Sequence, residues 1–323
     1  MKNRILRLLL CFSLVCSAWA DSPLPDVTKL PAKTALITRV DMRQLEKAPG
    51  ASELLDPIFE KFRSHFKPPA KGLLGPKLIS NVNHVLLFSE TPDFGLTRSF
   101  VADAQTAVYL SGEFGEQRVL WELEQLGKYR SFDIDGTKVV SSSSLGSVLI
   151  AFPNKDVILI ANGTKAMASA LRTLKGKAAG LSAKSTIAAL EKSEKAPFLF
   201  ILDPRGQADM LMQMAGGISL GNPVVTWFTV APITQGVSTV PTHSRLSMSF
   251  RFNSENEAEI AWRTFNGLRM VVALNPDSSP DLIEAIGKAS VGAKGKIAYA
   301  TFDLDPKTAT ALGKLISKKK SKK

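Results

Sequence analysis

Two stretches of this chain carry the same strand, cap and helix in the same order, and that repetition constrains the fold more than any other feature. Thr34 to Val40 is an apolar, β-branched run followed by Asp41-Met42-Arg43 and a helical pattern, and Phe198 to Leu202 is followed by Asp203-Pro204-Arg205 and a second helical pattern. Each reads as a strand ending on an aspartate that caps the next helix. The two are offset by 162 residues. Val108 to Phe114, with a helix over Glu116 to Leu126, matches Leu246 to Phe252 with a helix over Ser254 to Leu268, at an offset of about 138. Ala168 to Leu171 with Leu174 matches Ala309 to Leu312 with Leu315, at an offset of 141. Because the order is kept while the offset shrinks, the pattern predicts a duplicated unit whose second copy has lost a strand and loop early on.

Local signals fill in each unit. Leu54, Leu55, Ile58, Phe59, Phe62 and Phe66 recur at helical spacing, as do Val119, Leu120, Leu123 and Leu126. Ser254 with Glu257 forms a capping box for the helix holding Ile260, Trp262 and Phe265. Tyr129 to Ile134 and Val139 to Ser142 flank Asp135-Gly136, a strong hairpin signal; Val148 to Phe152 and Val157 to Ile160 flank Asn154-Lys155. The expected fold is α+β: two tandem related domains, 21–178 and 179–317, each an antiparallel sheet with helices packed on one face, joined near the Gly-, Ala- and Lys-rich stretch Lys175 to Lys184.

The first twenty residues stand apart from this pattern. Lys2, Arg4 and Arg7 precede an apolar run from Leu8 to Val15 that ends in Ala18-Trp19-Ala20. This is the form of a secretory signal peptide cleaved after Ala20, too short in its apolar core for a permanent anchor. Cys11 and Cys16 are the chain's two cysteines and both lie in it, with Ser13-Leu14-Val15 a poor lipoprotein setting before Cys16. The mature chain is therefore expected to start at Asp21 without any thiol, which excludes thiol nucleophiles, zinc-thiolate sites and disulfides. No later apolar run reaches transmembrane length. The expected location is periplasmic or extracellular.

Charge narrows the partners. Of the net +12, three positive charges belong to the leader and five to Lys318, Lys319, Lys320, Lys322 and Lys323, leaving +4 on the folded body. So mild a balance, with no aromatic-flanked basic motif, argues against nucleic acid. The lysine tail, 318–323, reads as a disordered end suited to anionic surfaces.

One resemblance follows from Pro31 to Leu36, Val40-Asp41 and Gly112-Glu113-Phe114. With the export signal and two α+β units, these residues resemble a diffuse group of uncharacterised bacterial secreted proteins. The resemblance covers most of the mature chain and implies neither an activity nor site residues.

Chemistry-bearing motifs are sparse. His65, His84 and His243 each lack a second ligand at helical spacing, and no zincin, nucleophile-elbow, Walker or dinucleotide motif is present. Asp133 with Asp135, and Asp303 with Asp305, share the pattern Tyr-x-[Ser/Thr]-Phe-Asp-[Ile/Leu]-Asp. Period-two spacing puts each pair on one face of a strand, a weak metal site short of the ligand count calcium needs. A half-buried strand followed by a turn and a helix explains them as well. Asp41 and Asp203 read as helix caps, with Arg43 and Arg205 nearby, and Met210 with Met214 as core. Ser141 to Ser144 has no base near it, and Lys67 to Lys77, with its Pro and Gly, reads as a loop. No cofactor is implied. The leading expectation is an exported non-enzymatic protein, binding or structural, whose partner is a protein or envelope polymer. Its alternatives are a hydrolase or metal-dependent enzyme using Asp133, Asp135, Asp303 and Asp305 brought together by the fold, and a carrier of an apolar ligand lined by Phe198, Phe200, Trp227 and Phe228.

Overall fold

The computed structural model describes residues 27, 30–51, 82–90, 105–114, 129–142, 147–177, 180–193, 196–204, 221–233, 243–274 and 280–310. Residues 1–20, where a leader is expected, residues 67–77, where a loop is expected, His65, the methionines at 210 to 214 and the lysines at 318–323 lie outside them. Twelve strands and five helices follow in chain order: β1 Leu36–Asp41, α1 Met42–Glu46, β2 Val82–Ser89, β3 Thr106–Gly112, β4 Tyr129–Ile134, β5 Thr137–Ser142, β6 Val148–Asn154, β7 Val157–Asn162, α2 Gly163–Leu174, α3 Lys184–Lys192, β8 Phe198–Leu202, β9 Val225–Ile233, β10 His243–Arg251, α4 Glu255–Leu274, α5 Pro280–Gly287, β11 Ser290–Lys294 and β12 Ile297–Leu304.

All twelve strands join one antiparallel sheet, in the order β11-β12-β10-β9-β8-β1-β2-β3-β7-β6-β5-β4. The α+β antiparallel architecture read from the sequence is therefore present, with the two halves sharing a single sheet. They meet where β1 pairs with β8, Leu36 opposite Leu202 through Val40 opposite Phe198. Outward from this seam one side runs β1, β2, β3, β7, β6, β5, β4 and the other β8, β9, β10, β12, β11. Asp41 ends β1 and Asp203 directly follows β8. Val108 on β3 and Leu246 on β10 both lie on the third strand out. Between β3 and β6 the described strands are the β4–β5 hairpin; the corresponding interval, between β10 and β11, holds α4 and α5.

Alternation along paired strands gives the sheet two faces. On the front, Ile37, Leu86, Tyr109, Leu159, Leu199 and Ile201 are each 0 % exposed and share a core with Met167, Ala170 and Leu171 of α2 and Ala189 and Leu190 of α3. Arg39 reaches under the end of α3 and donates to the Ser193 and Ala196 carbonyls, just past the helix, at 3.0 and 3.4 Å. On the back, Val40, Phe198, Val230 and Leu304 pack with Leu45 of α1 and, beyond β12, with Ala309. Phe250 and Ala298 on the same face pack with Phe252, just beyond β10, and with Ala258 and Ala261 of α4. Helices thus lie on both faces.

Local chemistry matches several sequence signals. Asp41 caps α1, its Oδ1 accepting from the Gln44 N–H at 2.9 Å. Glu257 N donates to Ser254 Oγ at 3.2 Å while Glu257 Oε2 accepts from Ser254 N at 3.3 Å, the reciprocal capping box ahead of α4. Asp135 and Gly136, at φ 51° and 72°, form the two-residue turn of β4–β5 with the left-handed backbone such a hairpin requires.

Candidate functional site

The four flagged carboxylates do not meet. Asp133 and Asp135 belong to the β4 end of the sheet and Asp303 and Asp305 to the β12 end, with nine strands between β4 and β12. Each has local work instead. Asp133 Oδ1 accepts from Gly136 N at 2.8 Å, inside the turn. Asp135 Oδ2 lies 3.4 Å from Arg172 Nε, and its carbonyl accepts from Lys175 Nζ, so the end of α2 clasps the hairpin tip. Asp303 Oδ1 pairs with Arg245 Nε at 2.7 Å, an exposed bond between neighbouring strands that lowers the carboxyl pKa and raises that of the guanidinium. Asp305 caps the helical turn at 306–310, accepting from Thr308 N at 2.8 Å and Thr308 Oγ1 at 3.3 Å. Those bonds, the backbone one first, hold its carboxyl below the usual range. Turn, cap and ion-pair chemistry accounts for all four. Among the described residues, no group of three His, Asp or Glu side chains is placed to hold a metal.

A concavity of 480 Å³ lies between α5 and the turn after β12, lined by Asp281, Glu284, Asp305, Pro306, Lys307 and Thr308. Glu284 is paired with Lys288 at 2.5 Å, and Asp305 is committed to its cap. The site is open and polar. The sequence reading singled out Asp305 alone of this group, because Asp281 and Glu284 sit on an ordinary amphipathic helix whose position over β12 only the fold supplies.

Strand register also brings Asp41, His84 and Ser111 side by side on the front, Asp41 opposite His84 and His84 opposite Ser111. Asp41 Oδ2 is 3.7 Å from His84 Nε2, and His84 Nδ1 is buried with no hydrogen-bond partner among the described residues. A nucleophilic relay needs its serine open to substrate, and Ser111 is 1 % exposed. The row is a polar seam within the sheet.

The aromatic residues considered for an apolar carrier are packed on both faces. Phe200 and Phe228 pack at a tilt, with ring centroids 5.5 Å apart, on the back, and Phe228 meets Phe250 edge-on at 6.1 Å. Phe198 belongs to the back core and Trp227 to the front core. The exposed apolar surface is elsewhere. Ala258 and Ala261 of α4 are buried and Trp262 Nε1 donates to the Val291 carbonyl at 3.1 Å, but Met270, Val271 and Leu274 near the helix end are 60, 63 and 77 % exposed. The signal for this was an apolar run, Met270 to Leu274, continuing after the amphipathic pattern of the first three turns.

No protein-family model matches the chain, and no curated protein does. Its fold is similar to that of TP0453, a Treponema protein solved in several crystal forms. Form III superposes with a TM-score of 0.54 at 9 % identity, over 92 % of this chain and 99 % of that one. Form IV gives 0.51 at 7 % identity, over 92 % and 98 %, and form I gives 0.49 at 10 % identity, over 91 % and 99 %. The class is an α+β protein built on one large antiparallel sheet. At this identity the likeness shows the fold. No helix of the described residues is long and apolar enough to cross a membrane.

Proposed function

We propose that this is an exported, non-enzymatic protein that binds at the cell envelope, made of two copies of one α+β unit with the second beginning near residue 179. The exposed end of α4 carries the reading. Three large apolar side chains gathered within five residues of one helix, each more than half exposed, form a contact surface rather than scattered surface residues. The lysines from Lys318 to Lys323 supply the second contact, each adding on the order of 1 kcal/mol at an anionic surface. The duplication is supported by two of the matched segments, β1 with β8 and β3 with β10, falling at the same count from the β1–β8 seam. Cleavage after Ala20 would place the mature protein outside the cytoplasm, in the periplasm or beyond.

The test is co-sedimentation with anionic phospholipid vesicles at low and moderate salt. It uses the full chain, the chain without residues 318–323, and Met270→Ser with Val271→Ser and Leu274→Ser. Deleting the tail should remove the salt-sensitive part of binding, and the triple substitution the salt-insensitive part. Equal retention of all three, or retention of none, would discard the reading.

A further inference from the structure

The sheet ends on β4, which pairs with β5 and with no other described strand. Arg130, Ser131, Phe132 and Asp133 are exposed, alternating between the two faces, and Phe132 is 40 % exposed on the front. The two-residue turn makes Ile134 and Thr137 a hydrogen-bonded closing pair. Backbone groups of Arg130, Phe132 and Ile134 therefore point into β5, and those of Tyr129, Ser131 and Asp133 point out of the sheet. The clasp of Arg172 and Lys175 on Asp135 holds the hairpin tip, and with it this edge, against α2.

We infer that this edge pairs with the same edge of a second copy, antiparallel about a twofold axis through Ser131, joining the two sheets into one. A twofold normal to the sheet sets Ser131 opposite Ser131, Tyr129 opposite Asp133 and Arg130 opposite Phe132. The first two are hydrogen-bonded pairs, so every outward N–H and C=O of Tyr129, Ser131 and Asp133 finds a partner. Arg130 and Phe132 form the non-hydrogen-bonded pairs, where side chains approach closest and a guanidinium lies over a ring. The phenol of Tyr129 faces the carboxylate of Asp133, and no like charges stand opposite each other. The strand is its own complement, which points to a second copy over a different chain. Shifting the axis to Phe132 puts Arg130 against Ile134 and Ser131 against Asp133, and loses these matches.

Sedimentation across a concentration series should show a monomer–dimer equilibrium. In a chain with Cys11 and Cys16 replaced by serine, Ser131→Cys should close a disulfide across the axis on oxidation, since hydrogen-bonded antiparallel Cα atoms lie about 5.5 Å apart. Phe132→Cys should not. Arg130→Glu with Phe132→Glu, both exposed, should weaken the dimer by about tenfold or more while the unfolding midpoint, read at a concentration low enough for the chain to be monomeric, stays in place. A monomer at every concentration, cross-linking through Phe132→Cys in place of Ser131→Cys, or a dimer indifferent to the two glutamates would each overturn the proposal.

Discussion

The two halves of the sheet share a strand order and treat their front faces differently. On the β1–β7 side, Tyr109 is 0 % exposed and its hydroxyl donates to the Ala170 carbonyl of α2 at 2.6 Å. On the other side, the matching residue at an offset of 138 is Ser247, half-buried, flanked across its strands by Thr229 and Thr301. The difference begins where the chain leaves the sheet. After β7, Gly163 at φ 83° turns α2 onto the front. After β12, Asp305 and Pro306 start a helical turn whose Ala309 packs on the back. One strand order thus supports two burial schemes, chosen by two residues at a strand exit.

The largest expected effect separates the two front faces directly. Tyr109→Ala should cost about 3–5 kcal/mol of folding stability in chemical denaturation, and Ser247→Ala should stay within about 0.5 kcal/mol. Comparable losses at the two positions would erase the contrast. Next in size is Gly163→Ala. Its Cβ would meet open space, so the cost reports backbone conformation alone, about 1–2 kcal/mol. A neutral result would show that the turn onto the front does not depend on glycine.

Asp305→Asn tests the opposite exit. The carboxyl is held down in the folded chain, so its contribution is full above the unfolded value of about 3.9 and is lost as pH falls through the lower folded value. The gap in unfolding midpoint between wild type and variant should be steady near neutral pH and should shrink below about pH 4, while Asp305→Ala at neutral pH should cost about 1 kcal/mol. A gap that widens on acidification would contradict the cap. Smallest is the exposed pair Arg245 and Asp303, on a front that bears few helices among the described residues. A double-mutant cycle should give under about 1 kcal/mol of coupling, falling with salt.

What the sequence reveals and hides follows the range of the interactions. The Asp135-Gly136 turn, the Asp41 cap and the Ser254–Glu257 box are legible because each is settled within four residues. The joining of β1 to β8 in one sheet is not, because β8 is apolar on both faces and β1 is apolar at Leu36, Ile37 and Val40, and such runs fit a central strand of either a small sheet or a large one. The period-two spacing of Asp133 with Asp135 and of Asp303 with Asp305 fits a weak metal site and a strand running into a turn or a helix equally well; turn and cap bonds claim one member of each pair. The polar concavity over β12 and the row Asp41, His84 and Ser111 depend on register between distant segments, which no local pattern records.

The seam carries a consequence for how the chain is made. β1 finds β2 some forty residues later, but its other edge waits for β8, which is synthesised about 160 residues after it. Until then Leu36, Ile37 and Val40, buried in the finished protein, stand on an open strand edge, a template for the wrong neighbour. Late closure of this kind slows folding and favours keeping the nascent chain unstructured until it is whole. A fragment ending before Phe198 would hold that exposed state permanently and should aggregate, whereas the intact chain, passing through it only once, should not.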